Sequence, residues 1–597
     1  MRIIKLENAS YEINLLKTVS PVVFAGSAVS IWEPTGLADG MSVTKSLCEI
    51  IFEGLKLNHE EKEILNALTL GKWEQKTDST WVKKYDGIPF EHLFDLCPNG
   101  RKAGKLLSQI YDCSISNSVH QSISKAFSED KISHIITTNY DKCFEDAFSK
   151  LTPFHFETVD EEIQYINSDK ESKYYFKVHG TADATKENLI FTLRDEGLLP
   201  SWKRELLKKL LSDKVCLFIG YSGLDFDLCP VIEKIPNIKI LWIDKNPAPQ
   251  TINAKTLLNN TKGIHIEGDM REFISQWFGI DCQPNIKRTT IQASEIRGFF
   301  SDEEIEIWRM AILNAIGLPA FVSKAASESE GNVDKKIILW HEARADFNAG
   351  KYKKASETFN LISEKYANEG RFKSESDTLL DASDSYRAGG YFINAWVKLY
   401  KGKRVTKDYD KAKYLLKKSM IISNIFDGLA RFGLIAFFLK YWLKRNLRKC
   451  ANTSLEKGSR LDFQQAGLIA KRTNILLYEL EKGDFYSPPE ASEGYKHIGY
   501  YLAEIMTFCD EIKNLDYKNL SSEEKNETLE QINIHIKNCE ITGQTSNLWK
   551  LLAVKKNFLE KTKLGEFKEQ EKLDLALQFC EYSRIMRFQQ AKKFGLN

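Results

Sequence analysis

Along the first half of the chain, short apolar runs alternate with stretches of helical spacing. The runs are "PVVFAG" (21–26), "ISHIITTN" (132–139), "KYYFKVHG" (173–180), "NLIFTL" (188–193), "KVCLFIGYS" (214–222) and "IKILWIDKN" (238–246). Between them, "VTKSLCEIIFEGL" and "SWKRELLKKLL" set apolar residues three and four apart, as amphipathic helices do. Short apolar strands alternating with helices predict a parallel sheet covered on both faces. In such sheets ligands bind beyond the C-terminal ends of the strands. The segments to read for chemistry are therefore the strand exits "AGSAVS", "TTNYD", "VHGT", "GYSGLDFD" and "IDKN".

After about residue 285 the pattern changes. Eleven of the fourteen prolines lie in residues 1–285, and only Pro319, Pro488 and Pro489 follow. Proline breaks helix interiors, so its scarcity allows an almost wholly helical second half. A weak repeat appears there. Tyr352, Ala355 and Phe359 stand at offsets 0, 3 and 7; Phe392, Ala395 and Leu399 repeat them forty residues later, and Tyr409, Ala412 and Leu416 do so again. Small alanines between larger apolar positions allow close helix approach, and glycines 350, 389 and 390 precede two of the units. This resembles helix-turn-helix solenoids of the tetratricopeptide kind over residues 335–420, with an irregular bundle as the alternative. The expected organisation is an α/β domain over 1–285, a Rossmann-like parallel sheet with helical insertions, and an all-α regulatory or interaction region over 286–597.

Composition narrows the class. At 597 residues, 43% hydrophobic and 28% charged, the chain reads as a soluble globular protein of several units. Residues 1–285 carry net −7 and the remainder +9, too dilute a basic charge for a nucleic-acid footprint. Eleven scattered cysteines include no C-x-x-C pair, which fits a reducing compartment and gives no zinc or redox motif. The start has no basic-then-apolar leader, and "FGLIAFFL" (432–439) is too short to span a bilayer. That run reads as a buried helix rather than a membrane-surface one. A cytoplasmic protein without membrane attachment is expected.

Each candidate residue has a structural explanation when taken alone. Asn139 would cap the following helix, Asp141 would favour its positive end, and His179 would be a satisfied core histidine. Their order along the chain carries more. A small-residue loop (Gly26, Ser27, Ala28, Ser30), then Thr138-Asn139-x-Asp141, then Val178-His179-Gly180, then Gly220-Tyr221-Ser222, then Asp244 closing a strand, resembles the sirtuin family. It is most similar to the sirtuin-like domains of bacterial antiphage defence proteins. The resemblance covers roughly residues 10–280, with "PFEHLF", "NSVHQSI", "IFTLRDEG" and "IEGDMREFI" as supporting stretches.

The resemblance implies NAD as the ligand. Gly26, Ser27, Ala28 and Ser30 would hold its pyrophosphate, and Thr138 would line the same cleft. Asn139 would lie by the nicotinamide ribose and orient its hydroxyls or an attacking water. Asp141 would order that pocket, and His179 would act as general base. Gly220, Tyr221 and Ser222 would line the phosphates or the adenosine ribose, and Asp244 would reach the adenosine end. The chemistry asks little of the protein: nicotinamide leaves as a neutral group, so the site must hold the ribose, stabilise positive charge and deliver a nucleophile.

Two departures from the family pattern matter. Ala28 stands where the loop has a second glycine, and residues 180–215 contain no cysteine, so the zinc module of the protein deacylases is missing and no metal is expected. Water is then the acceptor, which implies an NAD glycohydrolase. Such an enzyme would deplete NAD in abortive infection and be held off by the helical region, a protein partner or an oligomer. A non-catalytic NAD or ADP-ribose sensor is the alternative, and a deacylase or ADP-ribosyltransferase the third reading.

Overall fold

The computed structural model describes residues 1–75, 81–85, 87–148, 173–182, 189–192, 201–223, 228–249, 251–279, 296–405, 417–418, 421 and 501–596. They form two compact units, the first from Met1–Ile50 and Pro89–Phe300, the second from Ile51–Ile88 and Ser301–Asn597. The division is not a single cut in the sequence.

The first unit is built on a seven-stranded parallel sheet. Its strands are β1 (Arg2–Lys5), β2 (Val22–Ala25), β5 (His134–Thr137), β6 (Tyr174–Lys177), β7 (Val215–Ile219), β8 (Lys239–Asp244) and β9 (Ile264–Glu267), in the order β1-β9-β8-β7-β2-β5-β6. Side chains alternate between two cores, one on each face. Val23, Ala25, Ile135, Leu217, Ile219, Leu241 and Ile243 enter one; Val22, Phe24, Ile136, Cys216, Phe218, Ile240 and Trp242 enter the other. A strand buried on both faces cannot carry the polar–apolar alternation of a half-exposed one, which is why these runs are continuously apolar.

Strand order fixes where a ligand can sit. From β2 the chain adds β5 and β6 on one side, then crosses back to add β7, β8 and β9 on the other. The direction reverses between β2 and β7, the switch point beyond which sheets of this kind bind ligands. Gly26 and Gly220 begin the loops leaving those two strands.

Five of the six apolar runs are strands. "NLIFTL" is the exception: its described residues Leu189–Thr192 are irregular. The Ile190 N–H donates to His179 O and the Ile190 carbonyl accepts from the Tyr140 hydroxyl, so this segment pairs with strand-exit loops rather than a ladder. The pattern also passes over β1, an exposed edge strand, and β9, both only four residues long.

The second unit takes in the middle of the stretch between β2 and β5, Ile51–Ile88. Helix His59–Leu70, capped by a reciprocal Asn58–Glu61 box, precedes an antiparallel hairpin of β3 (Lys72–Gln75) and β4 (Trp81–Tyr85). Arg309, from helix Asp302–Ile316, donates to the carbonyls of Ile51 and Glu53, and Lys324 pairs with Glu61. Helices Lys335–Ala349, Tyr352–Asn368, Phe372–Ala388 and Phe392–Val405 then follow one another in a stacked array. Ala355, Phe359, Ala395 and Leu399 of the repeat are buried, as helix-contact positions require. The third instance, 409–416, and the apolar run 432–439 lie outside the described residues. Among the described residues no helix is long and apolar enough to cross a membrane.

Candidate functional site

The loop after β2 is one turn of 3-10 helix, Ser27–Val29, capped by Gly26. It is locked to the loop after β7. Gly26 N–H donates to Ile219 O and Ala28 N–H to Gly220 O, both at 3.0 Å. A Cβ on Gly26 would come within 2.5 Å of Gly220 O, and Gly220 itself has φ +62° with Val29 N 2.9 Å from any added Cβ. Neither position tolerates a side chain, so both glycines are required by close approach. Val29 N–H donates to Gly26 O and Ser30 N–H to Ser27 O. Four of the five loop amides from Gly26 to Ser30 are thus committed to backbone oxygens. Ser27, exposed, supplies the remaining amide and a hydroxyl. The Ala28 methyl packs against the core beneath the loop.

Ser30 is the hub of a buried network. Its hydroxyl donates to Asp141 Oδ2 at 2.8 Å and accepts from Asn139 Nδ2 at 3.1 Å. His120 Nε2 lies 3.1 Å from the same oxygen. The His120 Nδ1 accepts the Asn117 N–H at 3.3 Å, which leaves the ring proton on Nε2, donating to Ser30. Burial pushes the His120 pKa down to about 4, so the ring is neutral near pH 7. Asp141 Oδ1 accepts the Cys143 N–H at 3.1 Å and starts helix Cys143–Ala147. Asn139 is fixed at its backbone by Thr137 Oγ1, and Thr138 beside it is half-buried. Asn139 Oδ1 is buried and has no hydrogen-bond partner.

His179 leaves β6 next to this loop. It is buried, with its ring centroid 6.5 Å from that of Tyr140. The two exits are tied together: Val178 N–H donates to Thr137 O and Ala182 N–H to Tyr140 O, at 2.9 and 2.8 Å. Two buried lysines hold them from below. Lys177 Nζ donates to the carbonyls of Tyr140 and Asp141 and pairs with Glu145, while Lys203 Nζ donates to Val178 O. Burial lowers the Lys177 pKa, against the pull of Glu145.

The residues assigned to the adenosine end are more dispersed. The Tyr221 ring is buried among Phe24, Phe218 and Trp242, so only its backbone belongs to the loop. Ser222 is exposed, and its carbonyl accepts from Thr251 Oγ1. Asp244 Oδ1 accepts both the backbone and side-chain N–H of Asn246, which fixes the turn after β8. Beyond β9, Arg271 lies over the Trp32 ring, with the guanidinium carbon 3.7 Å from the ring centroid, and pairs with Asp269.

Sequence reasoning gives His120 no role, although Asn117-x-x-His120 is legible as a helix-capping pair. Its contact with Ser30 spans ninety positions and is visible only in three dimensions. The ligand atoms of His120, Asp141 and Cys143 lie within 4.8 Å of one another, a donor set that can hold a metal ion. Here His120 Nε2 and Asp141 Oδ2 both bond Ser30 instead.

No curated protein matches the chain. Residues 133–257, the stretch that carries Asn139, Asp141, His179, Gly220 and Asp244, match the family model of the SIR2-like domain, which supports a sirtuin-like domain there.

Proposed function

We propose that the first unit is an NAD glycohydrolase that cleaves NAD to nicotinamide and ADP-ribose with water as acceptor. The observation that carries the reading is Asn139 Oδ1, an acceptor buried without a partner at a parallel-sheet strand exit. Buried polar atoms are nearly always satisfied, so an orphan here fits a ligand hydroxyl or an attacking water. Bound NAD supplies a ribose–nicotinamide bond whose leaving group departs neutral. The protein's share is then positioning and proton removal. Asn139 Oδ1 accepts from the hydroxyl or water, while its Nδ2 stays anchored on Ser30. Asp141 and neutral His120 hold Ser30 in place. His179 serves as general base, and Ser27 offers an amide and a hydroxyl to the pyrophosphate. The absent zinc module supports water over an acyl-lysine acceptor.

In this reading the helical unit regulates the enzyme through a protein partner or an oligomer, in the cytoplasm, because unrestrained NAD loss would kill the cell. Abortive antiphage defence is the setting in which such an activity is useful. Incubating the full chain with NAD, alone and with the products of neighbouring genes, and reading nicotinamide and ADP-ribose tests it. Asn139→Ala and His179→Ala should each lower turnover by about 10² or more in a chain that still unfolds cooperatively. Wild-type turnover in both variants would place the site elsewhere. Tight NAD binding without cleavage would make the domain a sensor.

A further inference from the structure

Cys113 and Cys143 stand thirty residues apart in sequence but side by side beneath the Asn139–Asp141 loop. Lys142 N–H donates to Cys113 O at 2.7 Å, and Lys142 Nζ pairs with Asp112 at 2.6 Å. Cys143 Sγ lies 3.7 Å from Cys113 O and donates to it. The turn at 111–113 and the turn at 141–143 are therefore clamped together, with both sulfurs reduced. Their environments differ: Cys113 is half-buried and reachable, whereas Cys143 is buried. Cys143 also feeds directly into the site, since its N–H donates to Asp141 Oδ1.

We propose that Cys113 is a peroxide-reactive thiol with Cys143 as its resolving partner, and that the disulfide they form slows the enzyme by displacing Asp141. Cys113 is the half-buried member of the pair and the one that peroxide reaches, and its deprotonated sulfur is the attacking species. The Cys113 thiolate attacks one peroxide oxygen and the O–O bond breaks. This gives a sulfenic acid, and the second oxygen leaves as hydroxide and takes up a proton. Cys143 sulfur then attacks the Cys113 sulfur, the S–O bond breaks, and water leaves with the Cys143 proton. In total two thiols lose two electrons and two protons, and hydrogen peroxide becomes two waters. The S–S bond of about 2.05 Å is far shorter than a thiol contact, so the two turns must draw together. Cys143 moves, and with it the amide that positions Asp141. The effect on turnover rests on the NAD-cleaving reading; the thiol chemistry does not.

The test treats the full chain with dilute hydrogen peroxide and maps disulfides by non-reducing peptide mass analysis. A Cys113–Cys143 peptide two hydrogens lighter than the reduced pair is expected. NAD turnover should fall about tenfold or more, and dithiothreitol should restore it. Cys113→Ser should keep reduced-state turnover and resist peroxide. Hydrogen exchange over residues 137–146 reads the displacement without NAD, so a chain that never cleaves NAD sinks the functional reading and leaves this one testable. Absence of the 113–143 disulfide overturns the proposal. So does a disulfide that changes neither turnover nor exchange.

Discussion

Ser30 spends its whole hydrogen-bonding capacity on three buried side chains, donating to Asp141 and accepting from Asn139 and His120. An arrangement of this kind requires His120 neutral, because a second ring proton would face the Asn117 N–H. The His120 pKa is about 4 in the folded protein against an ordinary 6.5. A depressed folded-state pKa means that the unfolded chain binds more protons between those values. The stabilisation is therefore complete above pH 6.5 and is lost as pH falls towards 4. Half-buried His134, lowered to about 4 by desolvation with help from Lys214 and Lys173, acts in the same direction. Each histidine contributes a slope of at most about 1.4 kcal/mol per pH unit. Urea unfolding between pH 7 and 4.5 should show it, and His120→Gln should remove its own share. An equal slope in that variant would refute the neutral-ring network.

At the scale of elements, the switch point of the sheet is bridged by two loops that touch through glycine. Gly26→Ala should destabilise the first unit by about 1–3 kcal/mol and abolish NAD handling, because its Cβ meets Gly220 O. Ala28→Gly should do the opposite of what a missing glycine implies. The Ala28 amide is already bonded to Gly220 O and its methyl packs on the core, so removing it should cost about 0.5–1 kcal/mol and leave NAD turnover no higher. Melting temperatures and initial rates check both, and a faster Ala28→Gly enzyme would show that the methyl restrains the loop. The strands that carry these loops were legible because doubly buried strands must be apolar throughout. The order of exit motifs was legible because each sits at a strand end. Tyr221 misleads because loop and core residues alternate over single positions there. His120, Lys177 and Lys203 were illegible because their partners are distant in sequence or are backbone carbonyls.

For the whole molecule, the helical half shows a finer period than its apolar pattern discloses. The N–H groups of Lys351, Arg371 and Tyr391 reach back five residues to Asp346, Tyr366 and Tyr386, each around a glycine with φ between +68° and +89°. The same turn therefore recurs every twenty residues, at Gly350, Gly370 and Gly390, a left-handed helix cap that glycine suits. Only the alternate units were visible in sequence, because Phe372–Ala388 has Glu375 where its neighbours have alanine. The excursion of Ile51–Ile88 into the second unit has a genetic consequence. A stop codon after Phe300 removes the helices that this segment packs against, and the truncated product should be insoluble. A Gly-Ser linker in place of Ile51–Ile88 should instead give a soluble first unit with a single thermal transition, and solubility and calorimetry distinguish the two outcomes. If the first unit is toxic, its gene is protected against a common accident: frameshifts and nonsense mutations downstream yield degraded protein rather than a liberated poison.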